Sequence, residues 1–159
     1  VRIGHLADSG LSAIRVGSVR RVVCAAPAYL ERQGVPETPR DLRDHAVIGS
    51  TATGDLPEWR FGTDRRVTVA VHPRLVCNTV DAVLAAALDG WGIARLLSYQ
   101  VASAVAEGRL RILLDADEAA PVPIHVVSPE GRRAPAKTRA FIDLAAARLR
   151  ADPRVNPVG

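Results

Sequence analysis

The chain contains no methionine, only two cysteines, a single lysine and few aromatic residues (4%). Cys24 and Cys77 sit in separate apolar, strand-like runs. They read as small core residues in a reducing compartment, not as a disulfide framework. No apolar stretch approaches the ~20 residues that cross a bilayer. No export signal opens the chain, so a cytoplasmic protein without membrane contact is expected. With Val1 first and no methionine, the chain is expected to be a fragment of a longer gene product. Arginine supplies all but one of the 21 basic residues, Lys137 being the exception, and the net charge is +4. These arginines are scattered, and without a clustered basic face the chain is not expected to touch nucleic acid itself.

Signatures of catalysis are also missing. Cys24 is followed by Ala-Ala-Pro with no base nearby in sequence. His45, His72 and His125 lie apart, without H-x-x-x-H or C-x-x-C spacing. There is no G-x-S-x-G elbow, phosphate loop or dinucleotide fingerprint. The expectation is a protein that is not an enzyme and carries no metal or cofactor.

What is present is the patterning of a globular α/β protein. Apolar residues make up 48% and charged residues 24%, and the scarcity of aromatics implies an aliphatic core. At 159 residues the chain could form one domain or two small lobes. Residues 1–4 read as the end of a strand, and further strands are expected at 20–26, 46–50, 59–61, 67–71, 92–97, 109–114 and 122–128, with 59–61 and 67–71 forming a hairpin. Helices are expected at 27–33, opened by Pro27 and closed near Gly34, and at 39–44. For the latter, Thr38 stands as N-cap with Asp41 three residues on. The strongest helical period runs over 79–89, where Val80, Val83, Leu84, Ala87 and Leu88 recur on one face and Gly90 stops the run. Ser98 is expected to cap a helix ending at Gly108, and a last helix opens at Ala134 or Pro135 with Phe141, Leu144 and Ala145 on one face. Residues 5–9 read as a turn that Asp8 and Ser9 close through side-chain to backbone bonds. The alternation of strands and helices implies a mainly parallel sheet with right-handed crossovers.

Four blocks carry a resemblance to a known family. RIGHLADSGL at 2–11 is similar to R-x-G-x-L-x-D-S-x-L. RRVVCAAPAYLERQGVPETPRDL at 20–42 is similar to V-x-A-S-P-x-Y-L-x-x-x-G-x-P-x-x-P-x-D-L, departing at Ala26, where the family usually has Ser. NTVDAVLAAALDGWGIARL at 78–96 is similar to N-D-x-x-A-x-x-x-A-A-x-x-G-x-G-I-A-x-L. Residues 123–149 resemble P-x-x-V-x-P-x-x-R-x-x-x-x-K-x-R-A-F-I-D. In this order the blocks resemble the C-terminal effector-binding domain of LysR-type transcriptional regulators. The resemblance implies an α/β fold like periplasmic binding proteins, with two Rossmann-like lobes and two crossover strands, here 20–26 and 122–128. It implies a remnant of the first lobe at 1–19, with that lobe incomplete, and a second lobe at 20–120. Residues 121–150 would return to the first lobe as a crossover strand and helix, and 151–159 would be a flexible tail. It further implies a small-molecule effector, a homo-oligomer, and promoter DNA held only by a winged helix-turn-helix domain absent from this chain. The alternative is the lobe of a solute-binding protein serving transport.

Ligands of open α/β sheets bind at strand carboxyl ends and helix amino ends. Asn78, Thr79 and Val80 open the strongest helix, where free amides and the helix dipole suit a carboxylate or other anion. The same residues are suited to capping alone, worth about 1 kcal/mol. His5, in the first turn, could donate to a ligand or report pH, or be a surface histidine. Ser50 and Thr51, at a strand end, complete the candidates.

Overall fold

In the computed structural model the described residues are 1–6, 11–52, 58–64, 66–129 and 134–155. They form two compact units: Val1–Val19 with Pro121–Gly159, and Arg20–Ala120. The chain passes between the units twice.

The first unit holds β1 (Arg2–Ile3) and β2 (Ser12–Val19). The second begins with β3 (Arg21–Ala25), followed by α1 (Pro27–Gln33), a 3-10 turn over Pro39–Arg43, and β4 (Val47–Ser50). The hairpin β5 (Glu58–Phe61) and β6 (Val67–Ala70) precedes β7 (Pro73–Cys77) and α2 (Val80–Leu88). Then come β8 (Ile93–Leu97), α3 (Ser98–Ala106) and β9 (Arg111–Leu113). The chain returns to the first unit through β10 (Val122–Ser128) and α4 (Ala136–Arg150).

The second unit is built on a five-stranded sheet in the order β7-β4-β8-β3-β9. Successive strand residues point to opposite faces, and both faces are buried. Val23, Ala25, Val47 and Ile93 pack on one side with Tyr29, Leu42, Trp59, Phe61 and Val69. Val22, Cys24, Ile48 and Ala94 pack on the other with Val83, Ala87, Val101 and Ala104. The continuous apolar runs of β3 and β8 therefore fill two cores at once. Gly92 lets two segments approach closely: a Cβ there would overlap the Ala46 carbonyl, which accepts the Ile93 amide at 2.8 Å.

The sheet is mixed, not mainly parallel. β4 runs parallel to β7 and β8, whereas β3 is antiparallel to β8 and β9. Strand direction depends on which neighbour a strand meets, and local composition does not encode that. The expected crossover at 20–26 also needs correction. Its core is β3, a strand inside the five-stranded sheet. The partner running beside β10 is β2, in an antiparallel pairing from Val122 opposite Val19 to Ser128 opposite Ser12. β2 was not anticipated, because SAIRVGSV carries serine, arginine and glycine where an alternating apolar face would be expected.

Smaller differences have local causes. Residues 39–43 form a 3-10 turn instead of an α-helix. Its start is held as expected, with the Asp41 carboxylate accepting the Thr38 amide at 2.8 Å and the Thr38 hydroxyl at 3.0 Å. Ser98 is the first residue of α3, not its cap; its hydroxyl accepts the Arg20 amide at 3.2 Å, and Gln100 Oε1 accepts the Leu97 amide at 2.8 Å. In α4 two residues of the expected apolar face lie in solvent, Phe141 70% and Leu144 56% exposed, while Ile142, Ala145 and Leu149 are half-buried and Ala146 is buried. The expected flexible tail at 151–159 is packed as far as Val155, which is buried and whose carbonyl accepts the Ser18 amide at 3.0 Å. Residues 156–159 lie outside the described residues, as do Asp8 and Ser9 of the first turn. Among the described residues no helix is long and apolar enough to cross a membrane.

Candidate functional site

The carboxyl ends of β4 and β7 lie side by side because these strands run parallel, with Ser50 opposite Cys77. The chain leaves β4 through Thr51 and leaves β7 through Asn78 into α2. This pairing brings together five of the six candidate residues: Ser50, Thr51, Asn78, Thr79 and Val80. The sixth, His5, follows β1 in the other unit, where its imidazole is exposed.

Each of the five has a defined environment. Ser50 is buried, and its hydroxyl accepts the Ala52 amide at 3.2 Å, so it fixes the turn that follows β4. The Thr51 amide donates to the Cys77 carbonyl at 3.0 Å, which ties that turn to the end of β7. Thr79 has extended backbone, and its hydroxyl accepts the Ala82 amide at 3.2 Å. It is therefore the N-cap of α2. Asn78 is exposed and its carboxamide has no hydrogen bond among the described residues. The amides of Val80 and Asp81 are likewise without a partner there. They belong to the first turn, whose amides have no intrahelical acceptor.

This corner offers backbone donors, the positive end of a nine-residue helix, three hydroxyl side chains and one carboxamide without a hydrogen bond among the described residues. Such a set suits an oxyanion. The Asp81 carboxylate sits in the same first turn, where it opposes a second negative charge.

The environment of the cysteines fits packing. Burial pushes the Cys24 thiol up to about 12, so it stays protonated and unreactive at neutral pH. Both cysteines are free thiols. Among the described residues no group of three or more His, Cys, Asp or Glu is placed to hold a metal ion.

Ser50–Thr51 and Asn78–Val80 stand out separately in the sequence, as strand-end and helix-start residues. Cys77 is expected in a strand-like run, but neither the bounds of β7 nor its pairing with β4, which brings the Cys77 carbonyl between the two sets, is legible there. PRLVC is a short run with proline first and arginine second, and three of its five residues are exposed, as suits an edge strand.

Comparison with known proteins gives a consistent assignment. The family described as LysR substrate binding domain matches residues 1–150. The chain is 38% identical over 146 residues to the HTH-type transcriptional regulator PtxR of Pseudomonas aeruginosa, covering 90% of this chain and 46% of that protein. It is 33% identical over 147 residues to the HTH-type transcriptional regulator PgrR of Escherichia coli, covering 90% of this chain and 49% of that protein. Among solved structures, the regulatory domain of CrgA, a LysR-type transcriptional regulator from Neisseria meningitidis, matches with a TM-score of 0.79 at 28% identity. That match covers 92% of this chain and 72% of the CrgA chain. The chain spans about half the length of the curated relatives it matches.

Proposed function

Because this chain belongs to the LysR substrate-binding domain family, we propose that it is the effector-sensing part of a LysR-type transcriptional regulator. Its effector is a small anion, a carboxylate in the first instance, held at the carboxyl ends of β4 and β7. The observation that carries this reading is the convergence of Ser50, Thr51, Asn78, Thr79 and Val80 on one corner, where backbone amides remain open. A ligand switches a regulator only through a difference in affinity between two states. Fixed donors at a helix start supply such a difference when one state presents them to the effector and the other does not.

Promoter contact belongs, on this proposal, to a helix-turn-helix domain outside this chain, as the names of the relatives suggest. The assembly that passes the signal is a homo-oligomer. The named relatives are regulators, which favours sensing over delivery of solutes to a transporter.

The test is a thermal-shift screen of small carboxylates and aromatic acids against the chain. A carboxylate present at about 100 times its Kd should stabilise the fold by about 2.7 kcal/mol. Asn78→Ala should weaken that shift while leaving the unliganded melting temperature unchanged. If no carboxylate raises the melting temperature, or if parent and Asn78→Ala respond equally, the anion site is not at this corner.

A further inference from the structure

An open pocket of 390 Å³ lies at the opposite end of the same parallel strands, lined by Tyr29, Arg32, Asp44, Arg74, Asp89 and Trp91 among others. Its volume falls within the range of small-molecule sites. It lies wholly within the second unit and shares no residue with the corner at Ser50 and Asn78.

The floor is rigid. Tyr29 is 3% exposed; its hydroxyl accepts the Ala46 amide at 2.9 Å and lies 3.1 Å from His45 Nδ1. One guanidinium is also fixed: Arg32 Nη2 donates to the Gly90 carbonyl at 3.0 Å. Gly90 can end α2 there because it adopts φ +74°, a left-handed conformation that favours glycine. Burial pushes the Tyr29 phenol up, while the Ala46 amide and, after it, Arg74 and Arg32 oppose that shift.

Two features of the lining point to a ligand. Two arginines and two aspartates face one pocket, yet among the described residues no ion pair joins either arginine to either aspartate. Beside them the Trp91 indole is 67% exposed, a large apolar face left in water. Asp89 also stands at the carboxyl end of α2, where the helix dipole favours a cation.

We infer that this pocket binds a small zwitterion, an α-amino acid, with its carboxylate toward Arg74 and Arg32, its ammonium toward Asp89 and Asp44, and its side chain over Trp91. A simple anion would leave two carboxylates facing it, and a simple cation would leave two guanidiniums. A zwitterion meets both signs and keeps the filled pocket neutral. Charge-assisted bonds to arginine add directional selection for the carboxylate.

Trp91 reports the site directly, since Trp59, the other tryptophan, is buried. Titration of the chain with L-phenylalanine and with L-arginine should give a saturable fluorescence change for at least one, lost in Trp91→Phe. Calorimetry, which does not need the indole, should show Arg74→Gln and Asp89→Asn each weakening that ligand about tenfold or more. Both replaced side chains are exposed, and unchanged melting temperatures will establish that the variants fold. If L-phenylalanine binds, 3-phenylpropionate, which lacks the ammonium, and phenethylamine, which lacks the carboxylate, should each bind about tenfold more weakly or worse. Asn78→Ala should leave this binding intact, which separates it from the effector site. The inference is overturned if neither amino acid saturates, if 3-phenylpropionate changes the Trp91 fluorescence with the same affinity as L-phenylalanine, or if affinity survives in both charge variants.

Discussion

The Thr51 amide donates a 3.0 Å hydrogen bond to the Cys77 carbonyl. This bond joins two segments 26 residues apart, the turn after β4 and the approach to α2. It continues the parallel β4–β7 pairing one residue beyond the strands, so the candidate site is an extension of the sheet and not a free loop. The donors at the start of α2 are thus positioned by the core beneath them.

Thr79 and Asn78 should separate in their effects. Thr79→Ala removes the hydroxyl that accepts the Ala82 amide and should cost about 1 kcal/mol in denaturant unfolding. Thr79→Ser keeps the cap and should be close to neutral. Asn78→Ala removes no hydrogen bond among the described residues and should leave stability unchanged. A large loss of stability in Asn78→Ala would show that its carboxamide holds the fold and is not reserved for a ligand.

Gly92→Ala should destabilise the second unit by roughly 1–3 kcal/mol, the usual penalty of overpacking a close contact. The added Cβ would overlap the Ala46 carbonyl, which accepts the Ile93 amide and so sets the β4–β8 pairing. Unfolding midpoints in urea measure it. Equal midpoints for parent and variant would mean that the two segments part without cost.

The elements legible in the sequence are those whose signals are local. Pro27 and Gly34 bracket α1, and Thr38 with Asp41 opens the following turn, because the stabilising groups lie within a few residues. The runs VVCA and IARLL announce strands buried on both faces. What could not be read depends on distant partners. β2 owes its form to β10, more than a hundred residues later, and β3 is antiparallel only because β8 and β9 flank it. The site shows the same division. Asn78–Val80 stands out as a helix start, whereas its proximity to Ser50 and Thr51 follows from the parallel pairing of β7 with β4, which no local signal encodes. Residues 29, 32, 44, 74, 89 and 91 come from several separate segments, and only the sheet assembles them.

The two thiols should differ sharply in reactivity. Cys24 is fully buried and held protonated, with its thiol pushed up to about 12, while Cys77 is half-buried at a strand end. A thiol-labelling reagent at neutral pH should modify no more than one group in the folded chain, and Cys77→Ser should abolish that reaction. Both groups should react after denaturation. Rapid native labelling of Cys24 would show that the sheet opens far more readily than its packing implies.

Acid should weaken this fold in part through two carboxylates. The Thr38 amide and hydroxyl hold Asp41 below the usual carboxylate range, with the Glu37 amide adding to the effect. The Arg154 side chain, helped by its backbone amide, lowers Asp152 to about 2. In the unfolded chain both return to ordinary values, so between the folded and unfolded pKa values the unfolded state binds more protons. Their contribution is therefore complete above the ordinary carboxylate range. It declines as pH falls toward 2 and is gone below the folded values. Both groups are exposed to solvent, so salt should reduce the effect. Asp41→Asn and Asp152→Asn should each flatten the fall of melting temperature between about pH 5 and pH 2, with the double variant flatter still, because the two carboxylates share no hydrogen-bond partner. Identical acid profiles in parent and double variant would place the acid sensitivity of the fold elsewhere.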